Sequence, residues 1–331
     1  TEAEAMQQVG HQYPKDCGAC AETPSRSPPT CEKQLASMAC SASYGTRECL
    51  TCGKRIEQMK QRNNSEKDAR LACGKLFAMA CGACGPFGTV RLGQQGYKEA
   101  WKDDFTGNDI DRNKWAFYTG VVHSAELQAF TNREANANVS DGKLIITARR
   151  EDYAGRHFTS ARLVSKESWT YGKFCVRAKM SSLGVPGTWP ALWMLPVAET
   201  YGAWPKSGEI EILENAGREN GLVHGVVSTG AYNHMQNSSR MGTTDVDVTK
   251  FHNYCIEWLE DRIIWAVDEA VYYIFPKASS RPDKWPFNTP FNLILSYSVG
   301  GRGGGPKAVD EAKFRRGQSM QILWVRVWQK K

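Results

Sequence analysis

From residue 98 onward, apolar and polar positions alternate in short runs broken by turn residues at roughly 8–12-residue intervals. Residues 143–148, after the turn dipeptide Asp141-Gly142, show the pattern, and residues 174–179, 263–267, 291–295 and 322–328 repeat it. Strand side chains point alternately to opposite faces, so such runs predict strands with one buried side. Many of them in series predict a β-sandwich. The N-terminal part reads differently. Residues 1–16 are polar and aperiodic. Beyond Pro28-Pro29, Cys31, Leu35 and Met38 recur at helical spacing behind a Thr30 N-cap. A second helix is expected over about 47–62. A third is expected from Ser65, where Ser65-Glu66-Lys67-Asp68 reads as a capping box and Cys73, Phe77 and Cys81 share a face. The pattern divides the chain into a small α-helical module (1–88), a glycine-containing linker (89–97) and a mainly β domain (98–331).

Cysteine usage sharpens that division. Cys17, Cys20, Cys31, Cys40, Cys49, Cys52, Cys73, Cys81 and Cys84 precede residue 85, and only Cys175 and Cys255 follow. A module this small cannot rely on its apolar core and needs covalent staples. A disulfide framework formed in an oxidising compartment is expected. The alternative is zinc held by the pairs Cys17/Cys20, Cys49/Cys52 and Cys81/Cys84. Sequons at Asn63, Asn138 and Asn237 favour a secreted glycoprotein with disulfides and no zinc. The chain starts at Thr1 without a signal-peptide pattern, as expected of a mature or trimmed form. Nine cysteines in the module is an odd number, so one thiol should be left over. Cys175 and Cys255 each sit on the strand phase opposite their apolar neighbours. They pair if their strands are adjacent, with Cα atoms closer than about 7 Å. Two free thiols, or one bridge to the module, are the alternatives.

Charge and hydropathy exclude more than they identify. The net charge of +7 is spread without a long basic block. That argues against nucleic acid and is compatible with an anionic wall or matrix. No apolar run approaches the roughly 18 residues of a membrane span. The 11 Trp suit sugar-binding platforms, although most Trp pack in cores or rims.

The candidate chemistry lies in Trp204-Pro205-Lys206-Ser207-Gly208-Glu209-Ile210-Glu211-Ile212-Leu213-Glu214. Glu209 and Glu211 share a strand face. Glu214, an odd number of positions further on, faces the other side unless one residue near Ile212-Leu213 is bulged. A lone E-x-E is usually a solvated edge. Three carboxylates among branched apolar residues imply burial, and crowded like charges acquire separated pKa values by sharing protons. Two carboxylates flanking one bond are what glycoside hydrolysis requires. Along a bulged strand the outer pair would stand roughly 13 Å apart at about 3.3 Å per step. Their side chains can lean in toward the roughly 5 Å carboxyl separation of a retaining enzyme.

This run resembles the signature of glycoside hydrolase family 16, in the bulged form of its laminarinase (β-1,3-glucanase) branch. Trp101-Lys102-Asp103-Asp104-Phe105, Tyr171-Gly172-Lys173-Phe174 and Gly187-Thr188-Trp189-Pro190-Ala191-Leu192-Trp193 are similar to other blocks of that family, in order. Phe251-His252-Asn253-Tyr254 and Val325-Arg326-Val327-Trp328 extend the likeness toward the C-terminus. The resemblance implies a jelly-roll sandwich with an open cleft and retaining endo-hydrolysis of a β-1,3-glucan, without a cofactor. It makes Glu209 the nucleophile, Glu214 the acid/base and Glu211 the acid between them. Trp204, Trp189 and Trp193 match cleft positions, with core packing the alternative. Arg162, Glu126 and His234 match or can reach cleft positions.

Four residues depart from the family pattern. Glu211 replaces an Asp and is one methylene longer. Ser228 stands for a histidine usual near the acid/base, and Ala125 for an asparagine that contacts sugar hydroxyls. Leu323 replaces an aspartate associated with calcium, so no metal is expected. Transglycosylation, or glucan binding without catalysis on the same fold, are the competing readings. For the N-terminal module, binding to a wall or matrix partner, targeting and propeptide roles are all open.

Overall fold

The computed structural model describes residues 38–43, 46–51, 92, 96–121, 125–219, 221–305 and 309–331. The chain divides into one unit of residues 1–93 with 270–272 and another of residues 94–269 with 273–331. In the first unit, strands β1 (Met38–Ser43) and β2 (Thr46–Thr51) pair antiparallel, with Ser43 opposite Thr46 and Cys40 opposite Cys49. These strands occupy the end of the first helix expected from the sequence and the start of the second. Three matches to a helical period do not outweigh the modest helix propensity of Ser, Thr and Cys. Only Tyr44 and Gly45 separate the two runs, the length of a tight hairpin connection. The helix expected from Ser65, the module's cysteine pairing and its leftover thiol lie outside the described residues.

The remaining strands form two sheets. The larger runs β17 (Ala270–Pro276), β16 (Arg262–Val267), β15 (His252–Trp258), β10 (Gly172–Met180), β19 (Gln318–Lys330), β7 (Lys143–Tyr153), β8 (Arg156–Ser160) and β5 (Gln128–Phe130). β3 (Tyr97–Asp103) also pairs with β19, and β6 (Ala137–Ser140) with β7. The smaller runs β14 (Arg240–Asp245), β13 (Leu222–Ser228), β12 (Glu209–Glu214), β11 (Thr188–Pro196), β18 (Phe291–Val299), β9 (Arg162–Trp169) and β4 (Trp115–Tyr118). The strands read from the alternating pattern fall within β7, β10, β16, β18 and β19.

Alternation decides which side of each strand is covered. On β12, Ile210, Ile212 and Leu213 are fully buried, as are Leu192 and Met194 on β11 and Leu293 and Leu295 on β18. Phe174, Val176, Ile256, Trp258, Trp265, Val325 and Val327 of the larger sheet are buried with them. Trp258 meets Phe291 across the sandwich, ring centres 5.2 Å apart and edge to face. Each such side chain contributes about 1.5–3 kcal/mol through burial. Cys175 on β10 stands directly opposite Cys255 on β15, and the two form a disulfide. The open alternatives for these cysteines are thereby closed. Leu323 is the residue skipped where the β10–β19 register shifts, and it is half-buried. Among the described residues no cluster of His, Cys, Asp or Glu is arranged to hold a metal ion, and no helix is long and apolar enough to cross a membrane.

Candidate active site

The acid strand β12 carries the irregularity its spacing requires. Glu211 stands opposite Val226 on β13 and Glu214 opposite His224, so Ile212 and Leu213 share one position facing Gly225. The β11 side shifts at the same place, Trp193 pairing with Glu211 and Leu192 with Leu213. One extra residue on one strand is a β-bulge. It returns Glu214 to the face of Glu209 and Glu211 while both Ile212 and Leu213 stay in the core. Trp265, reaching over from β16, caps the bulge: its indole N–H donates to the Glu211 carbonyl at 2.7 Å. The ring lies so close to Gly225 that an added Cβ would stand 2.4 Å from Cδ1. The absence of a side chain at 225 is what lets Trp265 in.

The three carboxylates have different surroundings. Glu209 accepts from the Ser228 hydroxyl at 2.9 Å and from the Trp204 indole N–H at 3.0 Å. Burial pushes its pKa up to about 7, with the Glu214 charge adding to that. The two hydrogen bonds and the Arg162 guanidinium pull the other way. Glu214 accepts from the Trp189 indole N–H at 2.8 Å. Burial raises its pKa, and neighbouring His224 opposes the rise. Glu211 lies between them with Oε2 buried and without a hydrogen-bond partner. Burial, then Glu209 and Glu214, raise its pKa well above the usual carboxylate range. An unpartnered buried oxygen favours the neutral acid, so Glu211 is the member of the trio that keeps a proton most firmly.

Around them the structure sorts the residues expected from sequence. Trp204 is 38% exposed, and its ring lies 5.4 Å from that of His234, on a single 3-10 turn (His234–Gln236). The loop bearing Trp204 is tied by Ser207, whose hydroxyl donates to the Gly202 carbonyl at 2.7 Å and accepts from the Tyr201 N–H at 2.9 Å. Trp189 has one ring face covered by the short helix α1 (Gly301–Gly304). A Cβ at Gly303 would stand 2.3 Å from the indole. Trp193 is 8% exposed and packs with Ala191 and Ile294 as a floor, its N–H donating to Ser296 Oγ at 3.1 Å. Arg162 lies over that floor, its guanidinium carbon 4.4 Å from the Trp193 ring centre. Burial lowers the Arg162 pKa, while Glu126, Glu211 and Glu209 support its charge. Glu126 is itself buried and accepts from the Gln128 side-chain amide. Ala125 contributes its carbonyl, which accepts from the Gly301 N–H at 3.0 Å.

One sequence expectation is corrected. Ser228, read as replacing a histidine beside the acid/base, stands opposite Glu209 and bonds to it. The group opposite Glu214 is His224, which the sequence reading did not single out. Its Nε2 lies 2.6 Å from Glu219 Oε2, and Arg218 Nη2 lies 3.5 Å from Glu219 Oε1. Arg218 also donates to the Gly303 carbonyl, joining this cluster to the turn over Trp189. Counting pairs outward from the ends of β12 and β13 would have set Leu222 against Glu214, so the sequence offered no direct signal for His224.

A two-sheet β-sandwich bearing a half-buried trio of carboxylates and a tryptophan rim on one sheet has the chemistry of a glycoside hydrolase. Residues 124–326 match Glycosyl hydrolases family 16, and the chain belongs to that family. It is 42% identical over 261 residues to the beta-glucanase of Rhodothermus marinus, covering 74% of this chain and 90% of the relative. It is 33% identical over 252 residues to a glucan endo-1,3-beta-glucosidase of Cryptopygus antarcticus, covering 69% and 90%. The solved laminarinase of Rhodothermus marinus superposes with a TM-score of 0.67 at 43% identity, covering 71% of this chain and 98% of that one.

Proposed function

We propose that this protein is a retaining endo-β-1,3-glucanase in which Glu209 is the nucleophile and Glu214 the general acid/base. The bulged strand carries this reading: it sets three carboxylates on one face in unequal surroundings, Glu209 and Glu214 hydrogen-bonded and Glu211 Oε2 unpartnered, so that they hold protons unequally. Glu209, oriented by two donors, attacks the anomeric carbon as Glu214 protonates the departing oxygen. Glu214 then takes a proton from water as the glycosyl-enzyme is hydrolysed. Glu211, holding its proton, limits negative charge beside Glu209. Trp204 and His234 offer an exposed aromatic edge to the glucan next to the nucleophile. Resemblance to endo-1,3-β-glucanases supports the linkage, and the Cys175–Cys255 disulfide supports action outside the cell.

Incubation with a panel of β-1,3-, β-1,3-1,4- and β-1,4-glucans and galactans tests the substrate. An endo ladder of oligosaccharides from β-1,3-glucan is expected. Cleavage of galactans alone, or binding of β-1,3-glucan without cleavage, would refute the assignment. A second expectation concerns the proton balance. Ser228→Ala removes a hydrogen bond that favours ionised Glu209, so its pKa should rise. The acidic limb of the kcat/KM profile should move to higher pH, with a loss of about tenfold at the acidic end. An acidic limb that stays in place would mean that Ser228 does not act through Glu209.

A further inference from the structure

A single line of cross-strand partners runs from the acid strand to the edge of its sheet. Glu214 stands opposite Ala191 on β11, Ala191 opposite Ser296 on β18, Ser296 opposite Arg162 on β9, and Arg162 opposite Tyr118 on β4. Directly opposed residues of neighbouring strands share a face, so Tyr118 lies on the face of Glu214. Four strand spacings of about 4.8 Å set their Cα atoms roughly 19 Å apart, a span of several pyranose rings. β4 is the last strand on that side, and Tyr118 is 43% exposed there.

Isolated exposed aromatics are ordinary, and alignment alone would not single this one out. What does is its support. The Arg162 guanidinium carbon lies 5.4 Å from the Tyr118 ring centre, 4.4 Å from that of Trp193 and 5.5 Å from that of Phe130. Arg162 is buried by these rings, so Tyr118 is backed by a side chain that cannot swing away. A ring held in place this way loses little freedom when a ligand packs on it.

We propose that Tyr118 is a distal sugar platform, packing against a glucosyl ring several units from the scissile bond and favouring long β-1,3-glucan chains over short ones. The inference rests on the glucanase reading above and extends it to chain-length selection. The Arg162–Trp193 floor carries the chain between the carboxylates and this outer contact.

The test compares wild type, Tyr118→Ala and Tyr118→Phe on β-1,3-gluco-oligosaccharides from trimer to heptamer. The readout is the ratio of kcat/KM for the heptamer to that for the shortest oligomer cleaved, which cancels differences in the amount of folded enzyme. Tyr118→Ala is expected to lower that ratio about three- to tenfold, mainly through KM, as befits loss of one aromatic contact. Tyr118→Phe, which keeps the ring, should retain it. A ratio unchanged in Tyr118→Ala, or equally lowered in Tyr118→Phe, would overturn the platform. Failure of wild type to cleave any β-1,3-glucan would instead overturn the reading on which it rests.

Discussion

Glu209→Gln and Glu214→Gln should each lower kcat on β-1,3-glucan by at least about a hundredfold, the scale on which loss of a nucleophile or acid/base is felt. The two losses should differ in kind. With Glu209→Ala, azide can enter the vacated space and attack the anomeric carbon from that side, giving a glycosyl azide of α configuration. With Glu214→Ala, azide intercepts the glycosyl-enzyme instead and gives the β product. The Gln variants should also differ from wild type in stability. The folded pKa of Glu209 is raised from 4.5 to about 7, so the unfolded chain releases that proton first as pH rises. Wild-type stability therefore falls across this window, because the folded state binds more protons there. Glu209→Gln has no proton to lose at this position and should show a Tm advantage that is small at pH 4.5 and full above pH 7. Equal Tm differences at both ends would mean that burial does not strain Glu209. Near-normal turnover in either Gln variant would remove that residue from the mechanism.

The largest stability effect is expected at Trp265. This fully buried side chain fills the space over Gly225 and donates to the Glu211 carbonyl at the edge of the bulge. Trp265→Ala should cost about 3–5 kcal/mol, the range for emptying a large aromatic from a core. Trp265→Phe keeps most of the apolar volume but drops the N–H, and should cost about 0.5–1.5 kcal/mol for the lost hydrogen bond. Activity should fall with both, because the bulge that aims Glu214 rests on this ring. Denaturant unfolding read beside kcat tests the link. Loss of stability with full activity in the folded fraction would show that the bulge holds without Trp265.

The acid strand was legible because strand geometry has a period of two. Glu209 and Glu211 had to share a face, and Glu214 could join them only through an inserted residue near Ile212-Leu213, where the register shifts. The cysteine phases at 175 and 255 were legible for the same reason, although only the adjacency of β10 and β15 decides that they bond. What the sequence did not carry were relations across strands. Ser228 looked like a neighbour of Glu214, yet the register sets it against Glu209 and gives Glu214 to His224. Glu219 becomes His224's partner only when the turn between β12 and β13 folds back. The glycines of α1, packed against one face of Trp189, are likewise neighbours that only the fold supplies. In the N-terminal part, a short helical periodicity lost to strand pairing at Met38–Ser43 and Thr46–Thr51.

Double displacement through Glu209 and Glu214 leaves a stereochemical signature that tests it most directly. Proton NMR during the first minutes of β-1,3-glucan hydrolysis, before mutarotation, should show new reducing ends as the β-anomer. First appearance of the α-anomer would contradict the account, since it requires direct attack by water with no glycosyl-enzyme on Glu209.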